Sequence, residues 1–228
     1  MRRLWIAIIG VLTVFSTAHA QEWKPSKTVE LVVGSAPGGS PDVMARVVQN
    51  IFQSTGLVAN SVVVNKPGAA NTIGWAYLNQ HTGDAHYLAT ISPALIGNRL
   101  MGASPLTYTH FTPLNILARE FVVITVKGDS PIKTLADLKG KKVAATKGTD
   151  PYLFLLRALH TVGLKRSDIE HVALQHADGK AALEQGRVDA WAGLDPLMAA
   201  SELGAGSRLL YRNVDFNTYG FLNVREDF

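Results

Sequence analysis

Residues 29–54 read VELVVGSAPGGSPDVMARVVQNIFQS. The first seven residues are almost all apolar, which is typical of a strand that is buried on both faces. Over 41–54 the apolar residues recur every three or four positions, which predicts a helix. The predicted apolar face of that helix consists of Val43, Val47 and Ile51 together with Met44, Val48 and Phe52. This stretch therefore predicts a strand, a tight loop and a helix.

The loop between these two elements, residues 35–42, has the composition of an anion-binding turn. Gly38 and Gly39 allow backbone angles that other residues avoid. Ser40 suits the N-cap of a helix and Pro41 suits its first turn. The free N–H groups at such a helix start attract an anion. A plain structural turn with the same cap remains an equally open interpretation.

The rest of the first half continues the alternation. Strands are predicted at 61–65 and 87–92, and a helix at 71–80. This βαβαβ order favours a parallel sheet with right-handed crossovers. The ends of its strands carry small or hydroxyl residues, which would line one rim of the sheet or belong to ordinary turns. These residues are Gly68, Asn71, Thr72 and Ser92, of which Asn71 is a candidate helix cap.

The second half predicts another α/β unit after an extended run at 121–128. Two such units suggest two lobes with a cleft, and ligands of such sheets bind at the carboxyl ends of the strands. We expect lobe 1 to span 25–121 with 222–228 returning to it, and lobe 2 to span 122–221. Hinges are expected within 119–128 and 214–222.

The second half also contains candidate ligand contacts. Asp150 and Asp195 each precede a proline at a predicted helix start, where their carboxylates would act as caps. Lys147 and Thr149 could donate to an anion. These features suggest a ligand whose acid group faces the first unit and whose polar or amine group faces the second, although both aspartates could be caps alone. Trp191 could form the floor of a pocket or pack in the core.

Composition narrows the classes of function. Residues 1–20 have two arginines, an apolar run and a final Ala-His-Ala, as in a signal peptide that is cleaved after Ala20. The net charge of +4 falls to +2 without Arg2 and Arg3, which does not favour nucleic acid as a partner. The absence of cysteine excludes disulfides and a thiolate nucleophile.

Nothing in the sequence favours catalysis. It has neither a Gly-x-Ser-x-Gly elbow nor a His-Glu-x-x-His motif. His81 and His86 are five residues apart, which does not place them on one helical face. His176 lies near Asp178, but the pair is interpreted as a solvated turn. We therefore expect no enzyme activity, no cofactor and no metal.

Residues 29 to about 120 resemble the solute receptors of tripartite tricarboxylate transporters, the Bug family. The resemblance rests on VELVVGSAPGGSPDVMARVV, VVVNKPGAANTIGWAYL, GDAHYLATIS and FTPLNILA, in that order. In that family the first two loops hold a carboxylate through main-chain N–H groups and water. By resemblance, that role falls to Ala36, Pro37, Gly38, Gly39, Ser40, Gly68, Asn71 and Thr72.

Residues 122–228 are similar to a different group, the nitrate, sulfonate and taurine receptors of ABC importers, which includes the thiamine-precursor-binding proteins. The motifs are VKGDSPIKTLADLKGKKVAATKGTDPYLFLLRAL, ALEQGRVDAWAGLDPLMAA and YGFLNVRED. This resemblance implies ligand contacts near Lys147, Gly148, Thr149, Trp191 and Asp195. Two enzymes of this fold, porphobilinogen deaminase and the yeast-type thiamine-pyrimidine synthase, depend on cysteine, which this chain lacks.

Both resemblances imply one architecture, the α/β two-lobed periplasmic binding protein fold of type II. Members of these families continue beyond the length of this chain, so we expect lobe 1 to lack its last helices and the chain to be a fragment, a frameshifted product or a hybrid. The expected function is a periplasmic, monomeric receptor that passes a small organic anion to a membrane permease. A ligand sensor for a signalling partner and a truncated non-binder remain alternatives.

Overall fold

The computed structural model describes residues 24–226 and contains two five-stranded sheets. The predicted signal peptide lies outside the described residues. The strands are, in chain order, β1 (Val29–Val33), β2 (Ser61–Asn65), β3 (Tyr87–Ile91), β4 (Phe111–Glu120), β5 (Val122–Val126), β6 (Lys142–Ala145), β7 (Glu170–Ala173), β8 (Ala190–Leu194), β9 (Arg208–Arg212) and β10 (Thr218–Arg225). The helices are α1 (Ser40–Thr55), α2 (Thr72–Asn79), α3 (Ala94–Leu100), α4 (Asp150–Thr161), α5 (His176–Glu184) and α6 (Leu197–Ala205).

Each sheet combines parallel and antiparallel pairs. The first has the order β2-β1-β3-β10-β4, and the second has the order β7-β6-β8-β5-β9. In the first, β1 pairs in parallel with β2 and β3, whereas β10 is antiparallel to both β3 and β4. In the second, β6 pairs in parallel with β7 and β8, whereas β5 is antiparallel to β8 and β9. We call the part built on the first sheet lobe 1 and the part built on the second lobe 2.

The chain crosses between the lobes twice. Phe121 separates β4 in lobe 1 from β5 in lobe 2, and residues 213–217 lead from β9 back to β10. The first crossover lies within the predicted hinge segment 119–128, and the second overlaps the predicted segment 214–222 at residues 214–217. Two short connections of this kind are the usual basis of hinge motion between lobes.

The cores explain why these segments form buried strands. In lobe 1, alternate residues of β1 pack into two different clusters: Val29, Leu31 and Val33 on one face and Val32 on the other. Lobe 2 likewise has a cluster on each face of its sheet, with Ile124 in one and Val123 in the other. Coverage on both faces is the reason that these strands read as continuous apolar runs.

Two predictions at the level of elements need correction. On α1 the buried face includes Ala45 and Val48, whereas Val47 and Ile51 are about half exposed. The sequence pattern also does not predict β4, because this strand contains Pro113 and is largely exposed. β4 is an edge strand, which is where proline is tolerated in a sheet. Among residues 24–226 we find no helix with the length and apolar character of a membrane span.

Candidate functional site

The lobes meet where β1 and β3 end. A small cavity of about 10 Å³ lies on the lobe 1 side, and its walls come from the starts of α1 and α2 and from the strands β3, β4 and β10. Its lining residues are Gly34, Pro41, Met44, Asn71, Trp75, Thr90, Ile91, Ser92, Glu120 and Gly220. We call this region the cleft. Its position at the carboxyl ends of parallel strands is the one that ligands of α/β sheets occupy.

The loop at 35–42 brings its own acid. The Asp42 carboxylate accepts a hydrogen bond from the Gly38 N–H at 2.9 Å and forms an ion pair with Arg46. It also accepts from Asn65 Nδ2 at 2.9 Å. Burial alone would raise the pKa of Asp42, but the hydrogen bonds from Arg46, Gly38 and Asn65 outweigh it and lower the pKa. The Gly38 N–H of this loop is therefore not free to hold an anion.

Ser40 does not act as the predicted cap. The helix begins at Ser40 itself, with Gly39 in the N-cap position and no side-chain cap. The Ser40 hydroxyl instead donates to the Glu120 carboxyl across a buried contact. Burial, together with the nearby Asp150, raises the pKa of Glu120 to about 7, against the hydrogen bond from Ser40. Glu120 is thus an acid inside the cleft that sequence reasoning did not identify.

Asp150 contributes the second carboxyl of the cleft, and it does so from lobe 2. The predicted cap is absent, because Thr149 holds the N-cap position of α4 without a side-chain bond. Ser92, Thr218 and Ala94 of lobe 1 lie near the Asp150 carboxyl, but the buried Thr218 hydroxyl has no hydrogen-bond partner and the Ala94 N–H donates to the Ser92 hydroxyl at 3.3 Å. Burial raises the pKa of Asp150 above its usual range, although these contacts act in the opposite direction. Asp150 therefore joins the two lobes.

The second predicted loop has an unusual backbone. Ala69, Ala70 and Asn71 all have positive φ angles, of 44°, 54° and 73°. Three such residues in a row are costly for side chains that have a Cβ. The Asn98 side chain fixes the loop by donating to the Ala70 carbonyl at 2.8 Å. Asn71 precedes α2, as predicted for a cap, but makes no side-chain cap bond, and Thr72 begins the helix.

Glycines let the two lobes approach closely. A Cβ on Gly148 in lobe 2 would lie 2.4 Å from the Ala70 Cβ and 2.9 Å from the Asn98 Oδ1 of lobe 1. Gly148 also has a φ of +80°, which favours glycine in its own right. Its two neighbours are less available as ligand contacts. The Thr149 hydroxyl already donates to the Thr146 carbonyl, and the Lys147 side chain is exposed to solvent.

His176 is a cleft residue that the sequence analysis misinterpreted. The pattern with Asp178 suggested a solvated turn, but His176 is buried at the start of α5. Its Nδ1 lies 3.4 Å from the Thr146 hydroxyl, and its ring lies 3.6 Å from the Cβ position of Gly39 in lobe 1. Burial lowers the pKa of His176 to about 4, so the ring is neutral at pH 7.

The other predicted contacts occupy different surroundings. Trp191 is buried in the lobe 2 core, with its ring packed against Gly179 and Gly193. Asp195 is exposed and caps α6, because its Oδ1 accepts from the Ala199 N–H at 3.2 Å. Ala36 and Pro37 lie on the outer part of the first loop, where Pro37 is exposed. Gly68 precedes the second loop with a φ of +128°.

A larger cavity of about 480 Å³ lies beside the cleft in lobe 1, between α3 and the strands β4 and β10. Its walls are mostly apolar and include Leu95, Tyr108, Phe111 and Phe221. We favour the cleft as the candidate site in spite of this difference in size, because polar groups from both lobes converge there. Among the residues from 24 to 226, we find no group of three or more acidic or histidine side chains that could hold a metal ion.

Comparison with known proteins confirms both resemblances. The family model described as NMT1/THI5 like matches residues 113–223. An Escherichia coli (strain K12) protein named as an aliphatic sulfonates-binding protein is 51% identical over 98 residues, which is 43% of this chain and 31% of that protein. The protein BugT of Bordetella pertussis is 28% identical over 147 residues, covering 62% of this chain and 42% of BugT.

The architecture is confirmed by a solved structure. The crystal structure of the periplasmic aliphatic sulphonate binding protein SsuA from Escherichia coli superposes with a TM-score of 0.59 at 30% identity. The match covers 88% of this chain and 62% of SsuA. This chain therefore has the two-lobed fold of periplasmic binding proteins, and it spans only about a third of the length of the sulfonate-binding relatives that it matches.

Proposed function

We propose that this chain is a periplasmic solute receptor, which captures a small organic anion between its lobes and delivers it to a membrane transporter. One observation carries the proposal: two α/β lobes, joined by two short crossovers, close on each other at the carboxyl ends of β1 and β3. A receptor needs such a cleft and a hinge but no reactive group.

The chemistry of the cleft supports an acid as the ligand. The Ser92 and Thr218 hydroxyls and the Ala94 N–H lie near one carboxyl group, that of Asp150, and the Thr218 hydroxyl is buried without a hydrogen-bond partner. A carboxylate or sulfonate on a ligand presents the same kind of acceptor oxygens to these donors. The similarity to a protein named for aliphatic sulfonates adds support for the sulfonate class.

The closed arrangement limits where a ligand can enter. The cavity of about 10 Å³ in lobe 1 is too small for an organic acid, so the ligand enters when the lobes separate. The predicted contacts would then close over it, with Gly39, Ser40 and Ser92 on one side and Gly148 and Thr149 on the other. Five further residues remain proposed contacts: Asn71, Thr72, Lys147, Trp191 and Asp195. Trp191 is buried and Asp195 is bonded to the start of α6, so these two side chains would have to move furthest to reach a ligand.

A binding screen tests the proposal. The chain without residues 1–20 is mixed with short alkanesulfonates and mono- and dicarboxylates, and its melting temperature is measured for each. A ligand stabilises the folded receptor by RT ln(1 + [L]/Kd), so the melting temperature rises with the ratio of ligand concentration to Kd. We expect a rise of several degrees with at least one acid, and calorimetry of that acid should give one site per chain. A folded chain that no acid stabilises would contradict the proposal.

A further inference from the structure

The apolar cavity of lobe 1 has the size and the lining of a small-molecule site. Its volume of about 480 Å³ falls within the range of about 300–1,000 Å³ that is typical of ligand pockets. The aromatic rings of Tyr108, Phe111 and Phe221 line it, together with aliphatic side chains of α3. Such a lining favours an apolar molecule, because binding removes apolar surface from water on both sides.

One buried polar side chain in the wall of this cavity lacks a partner. Asn223 lines the cavity and is only 5% exposed. Among residues 24–226, its Nδ2 finds no hydrogen-bond acceptor. A buried donor without an acceptor is unusual and costs free energy. A ligand that places an acceptor oxygen beside Asn223 would remove that cost.

The strand β10 fixes the position of Asn223. Leu222 and Val224 pack into the core cluster on one face of the sheet, whereas Phe221 and Asn223 line the cavity on the other. The pairing of β10 with β4 shifts register between Leu222 and Asn223, and irregularities of this kind re-aim side chains. The unpaired donor therefore belongs to a strand that is paired on both sides, which holds a site more precisely than a loop does.

The charge around the cavity favours a neutral ligand. Glu226 is the acid among the lining residues, and its carboxylate accepts a hydrogen bond from the Thr112 hydroxyl at 2.7 Å. Of the described residues that line the cavity, none is basic. An anion that entered would lose its hydration without gaining a cation, and Glu226 would repel it. The acceptor that suits Asn223 is therefore the oxygen of a neutral carbonyl group.

The unpaired donor also favours a small molecule over a helix from a protein partner. The main-chain carbonyls within a helix already accept hydrogen bonds from the same helix. The apolar face of such a helix would cover the cavity but leave the Asn223 donor without an acceptor. A carbonyl compound supplies an apolar body and a free acceptor together.

We propose that the apolar cavity of lobe 1 is a second ligand site, which binds a neutral molecule with an apolar ring or chain and one carbonyl oxygen. That oxygen accepts a hydrogen bond from Asn223 Nδ2. The inference goes beyond the receptor function proposed for the cleft and does not depend on it. Ile91 and Ser92 line both cavities, so the second ligand lies directly beside the cleft.

Two probes that differ in one group test the role of Asn223. Acetophenone carries a C=O group where α-methylstyrene carries a C=CH2 group of similar shape. Nuclear magnetic resonance titration of the isotope-labelled chain measures Kd for each probe through the backbone amide signals of Leu95 and Phe221. We expect both probes to bind, and we expect the Kd ratio of alkene to ketone to fall about fivefold in Asn223→Leu, the scale of one neutral hydrogen bond.

Asn115→Leu is the matched control. Asn115 is an exposed asparagine of β4 that does not line the cavity, so this variant should keep the ratio of the unmodified chain. A ratio that stays unchanged in Asn223→Leu overturns the inference. If Asn223→Leu does not fold, the side-chain amide signals of Asn223 in the unmodified chain decide. Acetophenone should shift them more than α-methylstyrene does, and equal shifts overturn the inference.

Benzoate, which is close to acetophenone in shape but is an anion, tests the charge of the ligand. At pH 8.0 we expect it to bind at the Leu95 and Phe221 signals about tenfold more weakly than acetophenone, because its charge loses hydration there. Equal affinity would overturn the neutral class. Failure of both neutral probes to bind would overturn the site itself, and light scattering would then show whether a second copy of the chain covers the cavity.

Discussion

At the scale of single residues, the buried acids are the least expected feature of the molecule. Their sequence neighbours do not indicate them: Glu120 ends the edge strand β4, and its partner Ser40 lies 80 residues earlier in the chain. Asp150 reads as a helix cap, yet its contacts are in the other lobe. Long-range pairs of this kind depend on how the lobes meet, which local composition does not encode.

Glu120 should make stability depend on pH. Its pKa rises from 4.5 to about 7 on folding, so the folded state binds the proton more tightly than the unfolded state. Stability is therefore greatest below the unfolded pKa and is lost as pH rises through 7. The full difference corresponds to about 3 kcal/mol at 1.36 kcal/mol per pH unit.

Urea unfolding at pH 5 and pH 8 measures this effect. The Glu120→Gln variant cannot ionise there, so its stability relative to the unmodified chain should increase from pH 5 to pH 8. A constant difference between the two proteins across this range would show that Glu120 does not titrate in the folded state as described.

Asp42 should show the opposite pH dependence. Because its folded pKa is lowered, its contribution is present above the unfolded pKa of 3.8 and disappears as pH falls through the folded value. Asp42→Asn removes charge-assisted bonds to Gly38 and Arg46, so it should cost about 1–3 kcal/mol at pH 7. The loss should shrink when unfolding is measured at pH 3, and a loss that stays constant would argue against the ionised contact.

At the scale of elements, hydrophobic pattern predicts the interior well and the periphery poorly. The run at 29–35 becomes β1, and the run at 219–224 becomes β10, because both are buried on two faces. The sequence pattern does not predict the edge strand β4, because much of this strand is exposed, including Leu114 and Ile116. The α1 face is misjudged for a related reason: Val47 and Ile51 are apolar residues at the surface, and pattern alone does not reveal this.

The junction of β1 and α2 offers a sharp test of packing. A Cβ on Gly34 would lie 2.6 Å from the Asn71 Cβ and 2.7 Å from the Asn71 carbonyl oxygen. Gly34→Ala should therefore force the second loop away from β1 and cost about 1–3 kcal/mol in denaturant unfolding.

Gly97→Ala is the matched control for Gly34. Gly97 lies inside α3, and no atom lies within 4 Å of its Cβ position. Because alanine favours helix over glycine, this variant should gain up to about 1 kcal/mol. Equal effects of the two substitutions would contradict the close contact between β1 and the second loop.

At the scale of the whole molecule, closure depends on small contacts between the lobes. Gly148→Ala places a methyl group against Ala70 and Asn98, so it should shift the molecule toward an open form. Small-angle X-ray scattering of the ligand-free chain should give a larger radius of gyration for this variant.

Gly140→Ala controls for backbone strain in that experiment. Gly140 has a φ of +72°, close to the +80° of Gly148, but nothing lies within 4 Å of its Cβ position. Both variants should lose about 1–2 kcal/mol from the left-handed backbone, whereas only Gly148→Ala should expand. Equal radii for the two variants would mean that Gly148 does not control closure.

The sequence predicts the two-lobed architecture because alternating strands and helices determine it, and the comparisons confirm it. The candidate site is less predictable. Main-chain loops at 35–42 and 69–72 signal a rim, but which side chains fill it depends on packing between lobes that are distant in sequence. Trp191 shows this limit, since its place near the carboxyl end of a strand left a pocket floor and core packing equally open, and its ring packs in the lobe 2 core.

The most direct measurement is a crystal structure of the chain with the acid that stabilises it most. We predict electron density for the ligand between the lobes, with its acid group on the Ser92 and Thr218 hydroxyls and Asp150 moved away from them. Density confined to the apolar cavity of lobe 1 beside Tyr108 and Phe221, with Asp150 still on Ser92, would contradict binding in the cleft.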